Sequence, residues 1–388
     1  MNPKVSIIIL NWNGWKDTIE CLESLYQIIY SNYDVIVVDN GSEDESIEKI
    51  KEYVKGKIKV ESKFFKYDPH NKPIKIIEYT REETEAGGGK EKKITNLPSN
   101  RKLLIIKNEK NYGFAEGNNI AIKYALKDTE TRYIVTLNND MVVTRNWLME
   151  LMREIDRDGK IGSCSSKILF YSRENIINST GVLILKDGAA IDRGRNEEDK
   201  GQYERIEEVF GACAGAAIYR REALEEVGVF DKEYFAYYED VDLAWKLRLA
   251  GWKCMYVPKA VVSHKYSISG GAFSLFKVYQ GERNRIWNVI KNFPLEYVLL
   301  APFYNIAKNI LLLYATIKGE GRGTLYSRKH SLHKIVITML RAQTDALVKL
   351  PQMLTKRRAV KRLHKIKKAE LRQWFKKYSL CLKEVPYR

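Results

Sequence analysis

Apolar residues along the chain gather into short β-branched runs, separated by stretches of helical spacing, and this alternation sets the expected fold. KVSIIIL (residues 4–10) and DVIVVDN (34–40) have strand length, and Ile19, Leu22, Leu25 and Tyr26 between them recur at helical spacing. That is a βαβ unit, which predicts a parallel sheet covered by helices. LLIIK (103–107) and YIVTLNND (133–140) flank a helical stretch at 115–126, so the doubly wound pattern continues to Asp140. Beyond it the pattern is mixed, with a helix near 147–156, strands at 166–170 and 181–185, and the small-residue run GACAGAAIY (211–219).

Residues 64–100 interrupt this order. They are charged, hold prolines at 69, 73 and 98, and include TREETEAGGGKEKK. The apolar content is too low for a core, so the segment reads as an inserted flexible loop or hairpin at the rim of the site.

Size and charge refine the picture. A chain of 388 residues, 45% hydrophobic, can bury a full α/β core and leave roughly a hundred residues for an appendage. The formal net charge is +17, and residues 318–388 hold 20 Lys and Arg against 4 Asp and Glu, so the excess sits in the tail. Residues 294–317 are long and apolar enough to touch a bilayer, but Glu296, Pro302, Asn305, Lys308 and Asn309 interrupt them and disfavour a full span. In residues 355–382, Val360, Leu363, Ile366, Leu371, Trp374 and Phe375 stand among many Lys and Arg. This pattern fits a basic amphipathic helix lying on an anionic membrane surface, a solvated charged face, or a nucleic-acid-binding arm. The five cysteines form no CxxC pair, which excludes an obvious zinc site or disulfide framework. The apolar run at 5–10 is shorter than a signal peptide's, so the catalytic part is expected in the cytosol.

In doubly wound sheets, ligands bind at the carboxyl ends of the strands, and polar residues cluster there: Asn11 to Asn13, Asp39 to Ser42, and Asn138 to Asp140. Asp39 can accept hydrogen bonds from a nucleobase or ribose, or can serve as a turn former in DNGS. Asp140 places a carboxylate where a diphosphate would lie, suited to a hard divalent cation, and can also cap the following helix. In NYGFAEGNN, Gly113 and Asn118 either let the backbone approach a donor or mark an ordinary helix start. Glu239 and Asp240 follow four aromatics and precede an amphipathic helix, where a carboxylate can act as a base or as a cap. The small residues at 211–220 leave room for a ligand against the backbone or serve tight packing.

Six segments in order, LNWNG, VVDNGSED, NEKNYGFAEGNN, LNND, VGVFDKEYFAYYEDVDLAWKLRLAGW and VSHKYSIS, resemble family 2 glycosyltransferases, in particular the rhamnosyltransferase-like branch. The resemblance runs from about residue 5 to residue 292. It implies a GT-A fold, α/β, with a Rossmann-like nucleotide-binding sheet, a mixed acceptor half and here a C-terminal helical basic extension. The expected division is a catalytic domain at 1–292 and a helical, basic, membrane-associating region at 293–388.

The implied reaction is inverting transfer of a sugar from a nucleotide diphosphate sugar to a hydroxyl of a glycan or lipid-linked acceptor, with Mn2+ or Mg2+. Asp240 would be the base, with Glu239 supporting it. Asn11, Asn13, Asp39, Asn40, Gly113, Asn118, Asn138 and Asn139 would bind donor, and Asp140 and His264 the metal. The family often carries Asp at two places in its metal-binding element, whereas this chain has Asn138, Asn139 and Asp140. Because relatives act on lipid-linked acceptors, the tail is assigned to the anionic membrane surface, with the protein peripheral on the cytoplasmic face, and nucleic acid ranks last. A nicotinamide dehydrogenase is excluded because NWNGW offers no GxGxxG. The alternatives are a sugar nucleotidyltransferase, which lacks its glycine-rich loop here, and an inactive GT-A domain on a polybasic binding protein, which would be expected to have lost Asp140 or Asp240.

Overall fold

The computed structural model describes residues 2–266 and 273–387. Among them, eleven strands form one sheet, whose main order is Glu207–Val209, Lys253–His264, Ile161–Phe170, Ala216–Arg220, Thr131–Asn138, Lys4–Asn11, Tyr33–Asp39, Lys102–Lys107 and Lys75–Thr80. Met141–Val143 and Arg173–Ser179 branch from it, pairing with Lys253–His264 and Ile161–Phe170. The five strands from Thr131–Asn138 outward to Lys75–Thr80 are parallel, and Ala216–Arg220 runs antiparallel to both its neighbours. This is the mixed α/β sheet of the GT-A fold.

Burial explains why the central strands read as apolar runs rather than alternating ones. In Lys4–Asn11, Ile7 and Ile9 join the core beneath helices Trp15–Leu25 and Ser46–Val54, while Ile8 joins the opposite core beneath Gly113–Ala125. A parallel strand covered on both faces needs hydrophobic residues at successive positions. Register then fixes the site's location. Asn11 lies opposite Asp39, and Leu10 opposite Asn138, so three strand ends share one edge.

The interrupting segment corrects the expectation of an inserted loop or hairpin at 64–100. Lys75–Thr80 is the edge strand of the main sheet, parallel to Lys102–Lys107 with Ile77 opposite Leu104. A capping box of Thr80 and Glu83 then starts the short helix Arg81–Glu85. Ile77, Tyr79 and Ile94 are buried with Tyr124 and Ile106, so the segment borrows a core that it could not build alone.

The tail also departs from expectation. Val360, Leu371, Trp374 and Phe375 are buried in one cluster with Phe210, Trp245 and Phe293, and Leu363 and Ile366 pack against the cores. The Tyr297 and Phe375 rings stack at 4.2 Å, and the Trp245 and Trp374 rings lie 6.0 Å apart. The apolar face assigned to a membrane at 355–382 is therefore covered by protein. Lys356 pairs with Asp231, Lys349 with Glu233 at 2.8 Å, and Lys365 with Glu226 at 2.6 Å, so part of the basic excess ties the tail to the catalytic half.

Candidate active site

At the shared strand edge, side chains are tightly tied to one another. Asn11 Nδ2 donates to Asp39 Oδ1 at 2.8 Å, and Thr18 donates to Asn11 Oδ1 at 2.8 Å. Asn139 Nδ2 donates to the Thr18 hydroxyl at 3.0 Å and to the Gly14 carbonyl at 3.3 Å. Asp39 also accepts from the Ser42 hydroxyl at 2.6 Å and, through Oδ2, from the Ser42 N–H at 3.2 Å. Asn11 is fully buried and holds Asp39 in place.

Several expected donor contacts have internal tasks. Asn40 donates to Asn111 Oδ1 and the Gly113 carbonyl, and accepts from Asn108 Nδ2 and the Tyr112 N–H. Both ends of its amide are engaged, pinning the 108–113 loop. Buried Asn118 donates to the Phe114 carbonyl inside its own helix. Asn13, at φ 52°, accepts from the Glu43 N–H at 2.8 Å and shapes the DNGSED turn. A Cβ at Gly113 would sit 2.6 Å from the Phe235 ring and carbonyl, so this glycine permits the loop contact. Gly211 likewise serves packing, since a Cβ there would lie 2.4 Å from that of Ala244.

Asp140 and His264 are brought together by an antiparallel pair in which His264 lies opposite Met141. His264 Nε2 is 3.3 Å from Asp140 Oδ1, and Nδ1 is 2.8 Å from Asn178 Oδ1. With Asn178 accepting from Nδ1–H, the assigned tautomer leaves the Nε2 lone pair facing Asp140. A carboxylate oxygen and a free imidazole nitrogen fit a divalent cation such as Mn2+. Among the described residues no third His, Cys, Asp or Glu joins them, leaving positions for diphosphate oxygens and water. Burial opposes ionisation of Asp140, but in the protonated state of His264 its charge and hydrogen bond outweigh burial and hold the carboxyl below its ordinary value. Of the VSHKYSIS motif, Ser267, Ile268 and Ser269 lie outside the described residues.

The carboxylate pair stands at the start of helix Glu239–Leu249, behind an unusual loop. Phe235, Tyr237 and Tyr238 have φ of 62°, 68° and 72°, in the left-handed region that side chains avoid. Asn284 offsets this by donating to the carbonyls of Tyr234, Ala236 and Tyr237 at 2.9, 3.0 and 2.6 Å. Asp240 Oδ1 accepts from the Val241 N–H at 2.8 Å and Oδ2 from the Ala214 N–H at 3.3 Å. Burial lifts its carboxyl, the Ala214 N–H restrains the rise and the Asp192 charge adds to it, leaving it at about 6. Burial, reinforced by the charge of Asp240, lifts Glu239 well above the carboxylate range, and its Oε2 is buried without a hydrogen-bond partner.

One short backbone step joins the two halves. Ala214 N–H reaches Asp240, while the next residue, Gly215, accepts from the Asn138 N–H at 2.8 Å and would crowd the Asn138 amide if it carried a Cβ. The strand end at Asn138 and the carboxylate pair therefore adjoin. Sequence reading missed Asn178, Asn284 and Asp192. None has a motif; only their long-range partners reveal them.

Comparison with known proteins gives the family and the fold. The family model described as Glycosyl transferase family 2 matches residues 6–72 and 91–228, passing over the segment that contains the edge strand Lys75–Thr80. N-acetylglucosaminyl-diphospho-decaprenol L-rhamnosyltransferase of Mycobacterium tuberculosis is 48% identical over 61 residues, 16% of this chain and 19% of that protein. Rhamnosyltransferase WbbL of Escherichia coli is 30% identical over 156 residues, 38% of this chain and 58% of that protein. The chain thus matches less than two thirds of either relative's length. The crystal structure of GalNAc-T7 with UDP, GalNAc and Mn2+ superposes with a TM-score of 0.54 at 17% identity, over 80% of this chain and 51% of that one. That likeness is one of fold.

Proposed function

The chain belongs to glycosyl transferase family 2, and we propose that it moves a sugar from a nucleotide diphosphate sugar to a hydroxyl of a lipid-linked or glycan acceptor, inverting the anomeric carbon. The observation that carries this reading is the adjacency of Asn138 and Asp240 across Ala214 and Gly215. It sets a base beside the strand end where a diphosphate would leave. In the proposed reaction Asp240 takes the proton from the acceptor hydroxyl as its oxygen bonds to the anomeric carbon. The bond to the nucleoside diphosphate breaks on the opposite side. Glu239, held protonated, offers an O–H donor to orient the acceptor. Asp39 receives the nucleoside, and its brace of Asn11 and Ser42 fixes where it points.

Asp140 and His264 would hold Mn2+ or Mg2+, which when bound neutralises charge on the departing diphosphate. The names of the two relatives make rhamnose the sugar to test first, and the decaprenol-linked substrate in one name supports a lipid-linked acceptor. The test is a thermal-shift screen of nucleoside diphosphates and their sugars, with and without Mn2+ or Mg2+. A ligand at about 100 times its dissociation constant stabilises the folded state by about 2.7 kcal/mol. Absence of any shift across the panel would defeat the proposal.

A further inference from the structure

Helix Leu295–Ile317 has two unlike faces. Leu299, Phe303, Ile306, Ile310, Leu313 and Ile317 recur at alternating intervals of four and three, so they form one stripe along about 27 Å of helix. All six are exposed, Phe303 at 70% and Ile317 at 76%. Ala301, Lys308 and Ala315 recur at intervals of seven on the opposite side, and all three are buried. The packing that normally explains an apolar helix face therefore accounts for the small-residue side only. Helix Leu332–Val348 repeats the design, burying Ala342 and Ala346 while exposing Leu332, Val336, Leu340 and Leu347.

We propose that the outer stripe of Leu295–Ile317 is a docking surface that lies in the interface of an anionic lipid bilayer without crossing it. Charge selects this occupant. Along this helix the charged residues, Glu296 and Lys308, are both engaged elsewhere, with Arg372 at 3.0 Å and with Asp187. The segments that follow expose Lys318, Arg328, Lys329, Lys334 and Arg341. An apolar stripe followed in the chain by exposed basic residues fits a negatively charged lipid surface, whereas a second copy would bring like charges together.

One buried ion pair argues against a span, although the helix is long and apolar enough for one by length and composition. Lys308 is buried against Asp187, which is fully enclosed and whose carbonyl also accepts from Arg285 at 2.5 Å. Withdrawing the helix into lipid would strand that carboxylate. The anchor also sets the site's orientation. Asp187 lies three residues before Ala190, whose N–H donates to the Tyr238 hydroxyl at 3.3 Å, next to Glu239 and Asp240. A docked helix thus holds the carboxylate pair one loop from the bilayer, on the side where a lipid-linked acceptor would arrive. Only this last step rests on the proposed transferase reading.

The test uses the full chain and the triple variant Phe303→Ser, Ile306→Ser, Ile310→Ser, which changes exposed side chains only. Flotation with vesicles of phosphatidylcholine and phosphatidylglycerol should recover the unaltered protein, release it in alkaline wash, and recover the variant at least about tenfold less. Equal recovery of the two proteins overturns the proposal. So does retention through the alkaline wash, which would indicate a span, or a dimer without vesicles that the variant abolishes, which would indicate a second copy. Nucleotide diphosphate binding, measured on both proteins by calorimetry, is expected to be the same. Its absence from both would count against the transferase reading and leave the docking result standing.

Discussion

His264 Nδ1 and Asn178 Oδ1 lie 2.8 Å apart across 86 residues of sequence, and this contact decides which imidazole nitrogen faces Asp140. A histidine free to take the other tautomer would turn an N–H toward Asp140 instead of a lone pair. Asn178 would therefore act on the proposed metal site through His264.

Replacing Asn178 with Leu should weaken metal-dependent binding of a nucleoside diphosphate by about 10- to 100-fold, the usual cost of losing a partner behind a ligating histidine. Asn178→Asp keeps an acceptor at Nδ1 and should retain most of the affinity. Calorimetry with and without Mn2+ checks both, and equal losses in the two variants would make Asn178 a packing residue.

Asn284→Leu should act on the carboxylate pair from behind. It removes a donor from three loop carbonyls; that of Tyr234 keeps the Ala236 N–H and Arg283, whereas those of Ala236 and Tyr237 lose Asn284 at about 1–3 kcal/mol each when left buried and unpaired. The loop can relax from its left-handed angles, so the expected result is a lower Tm and reduced kcat with an unchanged donor Kd. Thermal denaturation, calorimetry and turnover together separate this from general unfolding.

The outcome at particular residues shows what a sequence makes legible. The runs ending at Asn11, Asp39 and Asn138 announced themselves because a strand buried on both faces must be apolar throughout. The edge strand Lys75–Thr80 did not, because its two isoleucines and a tyrosine sit among charges and its core is supplied by Tyr124 and Ile106. The pattern in the tail revealed an apolar face but not its cover, which is Trp245, Phe210 and Phe293 rather than lipid. Asn40 was read at a strand end and Gly113 at a helix start, yet their partners, Asn108, Asn111 and Phe235, are known only from three dimensions. His264 was legible only through family resemblance, since nothing in its local pattern points to Asp140.

Gly113→Ala should damage the acceptor side more than the donor side. Gly113 has φ 78°, which costs Ala about 1 kcal/mol, and the added methyl would press on Phe235, whose carbonyl accepts from the Ala115 N–H at 3.0 Å. The expected variant has a lower Tm and a raised acceptor KM with near-normal nucleotide affinity. A loss confined to nucleotide affinity would restore the donor-binding role.

Asp240→Asn should separate catalysis from capping. The amide oxygen can still accept from one of the Ala214 and Val241 N–H groups, so the helix start and donor affinity should largely persist. It cannot take a proton, and kcat should fall by about 10² to 10⁴. In the unaltered enzyme a carboxyl at about 6 is the base only when ionised, so the rate should rise with pH through about 6 and level off above it.

Stability should run the other way. Because the folded state holds this proton more tightly than the unfolded chain, wild-type stability falls as pH rises from about 4 to about 6. The amide of Asp240→Asn does not titrate, so the variant should be more stable at pH 7, on the order of 1–3 kcal/mol, with the difference vanishing below about pH 4. Slower turnover with a higher Tm at neutral pH is the signature of a base held against its preference. Unchanged turnover would leave Asp240 as a brace for Ala214 and direct the search for the base to Glu239.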